Sequence, residues 1–319
     1  MNMLEGAPWL LGHKSMLPIN KPYRVSLYGQ DYVLWKDEQG KISGLSNVCP
    51  HMGAMLSEGW CQVNDQGESK VVCPFHALEF DAHGCTILPD SNQKTRSLLS
   101  PIDLIIENDF IWSYGGHEIK IPIPDIVNQI ASEYDFVGST GDTTVNTDLR
   151  SMLLNMHDYN HQNGTHRDLF EITEVLFDKF IDNGYHSEAF FRTPTAPKTF
   201  WQKVKEPNQF LLPDVIEAHL ENYFPSLVIF YGENSLGTLA QCHFFVPESL
   251  THTRTYVLLF IKCKNMLGQL LKNQFLNFAE VVIEQDVRIL NHIYPNTPQK
   301  IKLNNEVGMD WVKSNFDRW

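Results

Sequence analysis

The twelve residues from Asn155 to His166, Asn-Met-His-Asp-Tyr-Asn-His-Gln-Asn-Gly-Thr-His, constrain this chain more than any other stretch. Their pattern predicts a helix over residues 151–162, with Asp158 and His161 three apart on one face. Asn163-Gly164 is a helix stop that lets the chain turn back, bringing His166 toward that face. Two imidazoles delivered in this way, completed by one carboxylate from elsewhere, make a facial triad that holds ferrous iron with positions open for oxygen. Solvated histidines at a polar helix end are the competing reading, so the rest of the sequence has to supply the missing carboxylate.

Residues 265–294 carry the period of a long helix, with Phe275, Phe278, Ala279, Val282, Ile289, Leu290 and Ile293 in one apolar stripe. Asp286 sits in that stripe. A carboxylate among buried apolar side chains is costly unless it is paired or metal-bound. A salt bridge to a neighbouring Arg or Lys would meet that need as well as a metal would, so Asp286 enters as a candidate third ligand. The histidines at 13, 157, 186, 219, 243, 252 and 292 have no comparable context, and most read as structural.

The first 120 residues read as short antiparallel strands: 24–28 and 31–35 around a Gly29-Gln30 turn, 41–45, then 102–106 and 110–114. Two loops interrupt them, Cys49-Pro50-His51 and, after 21 intervening residues, Cys73-Pro74-Phe75-His76. Two thiolates on one iron and two imidazoles on the other form the ligand set of a Rieske two-iron, two-sulfur cluster. Tetrahedral zinc takes the same four side chains, but zinc-finger spacing keeps like ligands together, whereas each loop here gives one Cys and one His. Gly115-Gly116 with Pro122 and Pro124 marks a boundary, giving domains at 1–120 and 125–319. Past it, strands at 175–181, 185–191, 215–220, 227–231, 240–246 and 253–261, with the long helix, make an α+β domain whose sheet is antiparallel.

Charge excludes some partners. The formal charge of -13 divides into -5 over residues 1–124 and -8 over 125–319, so neither part is a basic footprint for nucleic acid. The start of the chain has no basic-then-apolar secretory pattern, and no uncharged run approaches the ~18 residues that a membrane span requires. The expectation is a soluble cytoplasmic protein. Its six cysteines, at 49, 61, 73, 85, 242 and 263, are too few for a disulfide scaffold; Cys61 and Cys85 read as ordinary small residues.

These motifs together resemble the Rieske non-heme iron oxygenases, over nearly the whole chain. Asn155-x-x-Asp158-x-x-His161-x-x-x-x-His166 is similar to their iron motif, with the spacing of the monooxygenase and O-demethylase branch, vanillate- and dicamba-demethylase-like. Cys-Pro-His-Met-Gly-Ala and Cys-Pro-Phe-His-Ala-Leu-Glu-Phe resemble their Rieske loops, although Ala77-Leu78 stands where the family commonly has Gly-Trp. Ala54 and Phe75 stand where respiratory Rieske proteins carry a disulfide, which disfavours an electron carrier of that type.

The resemblance implies an all-β Rieske domain followed by a helix-grip catalytic domain. Cys49, His51, Cys73 and His76 would hold the cluster, and His161, His166 and Asp286 would hold mononuclear Fe(II). Asn155 would line the site, and Asp158 would bridge it to a Rieske histidine of the neighbouring subunit in a ring-shaped homotrimer. It further implies O2 as co-substrate, an NAD(P)H-dependent reductase or ferredoxin as partner, and hydroxylation or oxidative demethylation of a small organic substrate. No GxGxxG fingerprint occurs, so the nucleotide binds elsewhere. A cis-dihydroxylating dioxygenase and a non-catalytic Rieske electron-transfer or redox-sensing protein are the alternatives.

Overall fold

Most of the β-branched and aromatic runs of this chain become antiparallel ladders in the computed structural model, which describes residues 3–63, 67–88, 92–196, 215–233, 236–294 and 297–319. The chain divides into two compact units, Met3–Ile123 with Val246–Leu250, and Pro124–Phe245 with Thr251–Trp319.

The first unit contains β1 (Trp9–His13), β2 (Tyr23–Leu27), β3 (Gln30–Lys36), β4 (Ile42–Ser46), β5 (Trp60–Val63), β6 (Ser69–Val72), β7 (Glu79–Phe80), β8 (Ile105–Glu107) and β9 (Phe110–Ser113). They form three small sheets in the orders β1-β9-β8, β2-β3-β4 and β5-β6-β7. The turn between β2 and β3 lies one residue earlier than the sequence suggests. Its central residues are Tyr28 and Gly29, at φ 54° and 81°, and Leu27 pairs with Gln30. Positive φ at both centres is what a two-residue hairpin of type I′ requires, because its twist matches that of the strands. Trp35, Val33, Leu45, Val71, Phe80 and Leu99 pack into one core, and the thiols of Cys49 and Cys73 belong to it.

The second unit runs α1 (Ile126–Glu133), β10 (Asp135–Ser139), β11 (Thr143–Val145), α2 (Leu149–Met156), α3 (Arg167–Phe170), β12 (Leu176–Asn183), β13 (His186–Pro194), β14 (Val215–Tyr223), β15 (Leu227–Glu233), β16 (Gly237–Pro247), β17 (Thr253–Cys263), α4 (Met266–Leu290) and α5 (Val307–Arg318). One sheet takes the order β10-β17-β16-β15-β14-β13-β12, with β11 also on β17. This is the α+β architecture expected, with helices packed on an antiparallel sheet.

Asn265 starts α4 by accepting a hydrogen bond from the Gly268 N–H at 2.9 Å, so one orphan donor of the first turn is satisfied. A Cβ at Gly268 would lie 2.4 Å from the Leu236 carbonyl, so only glycine lets the helix start this close to the strand backbone. From there α4 buries Phe275, Ala279, Ile283 and Leu290, and Phe275 packs with Leu239, Leu259 and Ile261 of the sheet. The Phe, Ile and Leu side chains each contribute roughly 1.5–3 kcal/mol by leaving water. Ile289 and Ile293 do not join them; they are 44% and 53% exposed, Ile289 off the buried face of the helix and Ile293 beyond its end at Leu290. At the C-terminus, Trp311 Nε1 and Asn315 Nδ2 both donate to the Gly184 carbonyl, fastening α5 to the β12–β13 turn.

Candidate functional site

The motif at 155–166 does not form one helix. Asp148 caps α2 by accepting from the Ser151 N–H at 3.0 Å, but the helix stops at Met156. His157 donates from Nδ1 to the Leu153 carbonyl at 2.7 Å, and Asp158 accepts from the Asn160 N–H at 3.1 Å, starting a separate 3-10 turn over Tyr159–Asn163. Side-chain bonds to nearby backbone compete with the helical ladder, and here they win. The expected shared helical face of Asp158 and His161 is therefore replaced by a break between them. Gly164 ends the turn, as the sequence suggested, and the chain folds back to His166.

The break aims the ring of His161. Its Nδ1–H donates to the backbone carbonyl of Asp158, while His166 Nδ1–H donates to Gln285 Oε1 at 2.8 Å. Both imidazoles are thereby fixed in the tautomer that leaves the Nε2 lone pair free. The two Nε2 atoms lie 3.6 and 3.3 Å from Asp286 Oδ1. Asp286 is 15% exposed, and its Oδ1 has no hydrogen bond despite these short distances, because neither Nε2 carries a hydrogen in these tautomers. One ligand atom from each residue lies within 4.8 Å of the other two.

Burial opposes ionisation of Asp286, but His166 and His161 outweigh it and hold its carboxyl below the usual range. For His166, burial works against a proton, yet Asp286 and then Gln285 reverse the balance and raise its affinity for one. A site that draws in positive charge, built from two nitrogens and one oxygen, fits a divalent iron with positions left open. Asn155 reaches the same place from α2. Its Nδ2 is buried without a completed hydrogen bond, close enough to favour the Asp286 carboxylate.

A cavity of about 190 Å³ opens beside these three residues. Its floor comes from alternate positions of β14, β15 and β16, where Leu220, Phe230 and Gln241 lie in one register row and Val228 and His243 in the next. Phe275 and Phe278 of α4 line it as well. His243 was read as structural from the sequence, and its ring in fact faces the cavity. The available signal was Gln241 and His243 two apart in an otherwise apolar strand. Burial pushes this imidazole down to about 4, with Asp286 opposing, so it is neutral. Gln285 was missed too, although it stands directly before Asp286.

The other four predicted residues meet in the first unit. Both loops have one hydrogen-bond pattern: Cys49 N–H donates to the Ala54 carbonyl and Gly53 N–H to the Cys49 carbonyl, both at 2.9 Å. Cys73 N–H likewise donates to the Leu78 carbonyl and Ala77 N–H to that of Cys73, at 2.9 and 3.0 Å. The thiols of Cys49 and Cys73 are buried, and burial, then the neighbouring Cys73, raises the Cys49 thiol. His51 and His76 are exposed at the tip with their Nδ1 atoms 3.2 Å apart. Two enclosed sulfurs beneath two converging ring nitrogens suit a two-iron cluster with one end open to solvent.

Ala77 occupies the place of Gly53 in the repeated pattern, at φ 53° against 76°. The left-handed region costs an L-residue about 1–2 kcal/mol, which outweighs the 0.4–1 kcal/mol, roughly, by which glycine loosens the unfolded chain. Ala77→Gly is therefore expected to raise thermal stability by about 0–1.6 kcal/mol, read by calorimetry; a lower melting temperature would show the loop to be relaxed as it stands.

The chain matches known families along most of its length. Residues 8–99 match the Rieske [2Fe-2S] domain, and residues 145–311 match the vanillate O-demethylase oxygenase C-terminal domain. Aminopyrrolnitrin oxygenase of Pseudomonas fluorescens is 25% identical over 50% of this chain and 46% of its own length. The oxygenase component of a 3-ketosteroid-9-alpha-monooxygenase of Rhodococcus rhodochrous is 25% identical over 73% of this chain and 61% of its own. This chain thus spans less than two thirds of either relative. The crystal structure of dicamba monooxygenase bound to dicamba superposes with a TM-score of 0.74 at 17% identity, over 98% of this chain and 96% of that one. The fold is shared. The matched N-terminal domain is the Rieske [2Fe-2S] type, and His161, His166 and Asp286 could hold a metal ion. With the second match covering more than half of its residues, the chain belongs to the family of the vanillate O-demethylase oxygenase C-terminal domain, preceded by a Rieske domain.

Proposed function

We propose that this chain is the terminal oxygenase component of a multi-component system, hydroxylating or oxidatively demethylating a small organic substrate with O2 and electrons from an NAD(P)H-dependent reductase, a ferredoxin or both. The observation that carries the reading is the convergence of His161 Nε2, His166 Nε2 and Asp286 Oδ1 beside an apolar cavity. In this reading Cys49 and Cys73 ligate one iron of the cluster and His51 and His76 the other, while His161, His166 and Asp286 hold the mononuclear iron. Ferrous iron with open positions supplies oxygen activation.

The surrounding residues prepare the site. Gln285 and the Asp158 carbonyl hold the two imidazoles by Nδ1, so their Nε2 atoms stay directed at Asp286. Asn155 stabilises the carboxylate from α2. Phe230, Phe275 and Phe278 exclude water from the cavity and bind the substrate's apolar faces. Inserting one oxygen atom into a C–H bond and releasing the other as water takes two electrons and two protons. On an O-methyl group, the hydroxylated carbon then leaves as formaldehyde.

Residues 1–120 form the electron-receiving domain and 125–319 the oxygen-activating one in this proposal. The working form is a homotrimer in which Asp158 links neighbouring subunits. The proposed location is cytoplasmic; among the described residues no helix is long and apolar enough to cross a membrane, and no two of the six cysteines form a disulfide.

Protein purified in air is expected to be brown, with about two irons and two sulfides per chain beyond the mononuclear iron. His51→Cys or His76→Cys should lower the potential of the cluster and change its spectrum, since thiolate replaces a neutral imidazole. Oxygen uptake that requires both a reductase and a small organic substrate is the decisive measurement. A colourless, zinc-loaded protein would refute the proposal.

A further inference from the structure

The last helix of the chain reaches the iron motif through a single face. Gly308, Trp311, Val312 and Asn315 are its buried residues, and their spacing of three and four puts them on one side of α5, which lies against α2 and β12. Three contacts run from this end of the chain to the motif, and each meets a residue shortly before His161. The Asn304 carbonyl accepts from Asn160 Nδ2 at 2.6 Å, Gly308 abuts Tyr159 and the His157 carbonyl, and the Trp311 ring lies 5.3 Å from the His157 ring. Asp158, whose carbonyl orients His161, sits between these contacts.

Gly308 is the tightest of the three. A Cβ there would stand 2.6 Å from the Tyr159 hydroxyl oxygen and 2.9 Å from the His157 carbonyl oxygen, whereas ordinary contact begins at about 3.4 Å, so a side chain would force the two sides apart by about 0.5–0.8 Å. The helix is the stiffer side. Trp311 Nε1 and Asn315 Nδ2 hold it to the Gly184 carbonyl, and Glu306 braces the segment before it by accepting from the Leu303 N–H and from Gln299 Nε2 at 2.7 and 2.8 Å. Opposite stands one 3-10 turn, Tyr159–Asn163, whose hydrogen-bond geometry is the poorer of the two. Tyr159 cannot swing aside alone, because its ring is stacked on Phe177 and Phe191 at 5.7 and 5.2 Å. Its hydroxyl is buried with no hydrogen-bond partner among the described residues, so packing and not a bond sets its place. A push at Gly308 therefore passes into the backbone at 157–159 and on to His161. Metal and catalytic sites have to be held within about 0.5 Å of their working geometry, and the displacement reaches that limit.

We propose that Gly308, which lies outside the cavity lining, is a positioning residue for the mononuclear iron: its missing side chain seats α5 against Tyr159 and the His157 carbonyl, and that contact fixes the turn that aims His161 Nε2. The inference rests on His161, His166 and Asp286 being the iron site, so its test reads metal binding and not turnover. Full-length protein that keeps its cluster is stripped of mononuclear iron with a chelator and titrated anaerobically with Fe(II) by calorimetry, with Asp286→Ala as the blank. Gly308→Ala is expected to bind Fe(II) about tenfold or more weakly, as loss of an outer support of a metal ligand does, while the visible spectrum of the cluster stays unchanged. Asn160→Ala cuts the bond to Asn304 without adding a clash, and should weaken binding by about threefold at a nearly native melting temperature. Asn315→Ala is the control on the same helix. It loosens α5 from Gly184 without touching residues 157–160, so it should lower the melting temperature and keep the native affinity. Native affinity in Gly308→Ala, or in Asn160→Ala where the first variant does not fold, would overturn the inference, as would an equal loss of affinity in Asn315→Ala. Native protein that binds no more Fe(II) than the blank would remove the iron site itself, and this inference with it.

Discussion

Asp286→Ala is expected to abolish substrate-dependent oxygen uptake and to strip the mononuclear iron, while the visible spectrum of the cluster stays unchanged. Loss of an outer partner of a metal ligand typically costs 10–100-fold in affinity or activity, and loss of a ligand itself should exceed roughly 100-fold. The carboxylate stands on a helical face that also buries Phe275, Ala279 and Ile283, where an ionised group needs a partner. The same geometry also permits a plain ion pair with protonated histidines, and the two roles separate in the metal-free protein. Breaking a buried pair would lower its stability by about 3–5 kcal/mol. A ligand site without its metal should lose far less, since the substitution also removes the cost of burying the charge. Iron content, visible spectrum and calorimetry of the metal-free variant together decide between them. Full turnover with a full complement of iron would assign the third position to another carboxylate.

How much of this was legible in the sequence depends on the range of the interaction concerned. The hairpin strands β2, β3 and β4 and the long β14 to β17 have alternating or β-branched runs bounded by turn residues, and their existence could be read directly. β1 was not read as a strand. It pairs with β9 across about a hundred residues, Trp9 with Ser113 and Leu10 with Trp112, and a five-residue run carries no local mark of so distant a partner. The short β5, β6 and β7, only two to four residues each, were hidden around the second cluster loop, which separates β6 from β7. The tip Val246–Leu250 joins the first unit although the strands on either side belong to the second, which no composition shift announces.

In the candidate site, residue types were legible and their supports were not. Cys49, His51, Cys73, His76, His161 and His166 stand out because such side chains at such spacings have few other uses. Asp286 stood out as a charge in an apolar stripe. The break at His157 did not, because it arises when the Asp158 carboxylate takes the Asn160 N–H that a continuous helix would have used. The spacing at 151–162 suggests one helix, and the Asp158 side-chain bond overrides it locally. His243 was passed over for a related reason. Its place depends on strand parity and on α4 closing over β16, neither of which a single histidine in sequence discloses.

Asp158→Asn is expected to leave a reducible cluster, bound iron and an intact trimer, but to slow electron transfer from cluster to iron so far that little product forms. The break in the motif makes this substitution a clean test. Asp158 uses a carboxylate oxygen to accept from the Asn160 N–H, and an asparagine Oδ1 can accept the same bond. The contact that orients His161 comes from the backbone carbonyl of Asp158, which the substitution does not touch. The 3-10 turn and the aim of Nε2 should therefore survive, and what is lost is the negative charge and, in the proposed trimer, one acceptor for a histidine of the neighbouring subunit. A purely orienting role predicts a different result, with iron occupancy falling by about 10–100-fold and electron transfer following it. Stopped-flow reduction of the iron centre, measured beside iron content and sedimentation, separates the two. A monomer with full activity in dilute solution would remove the cross-subunit route, whatever the variant does.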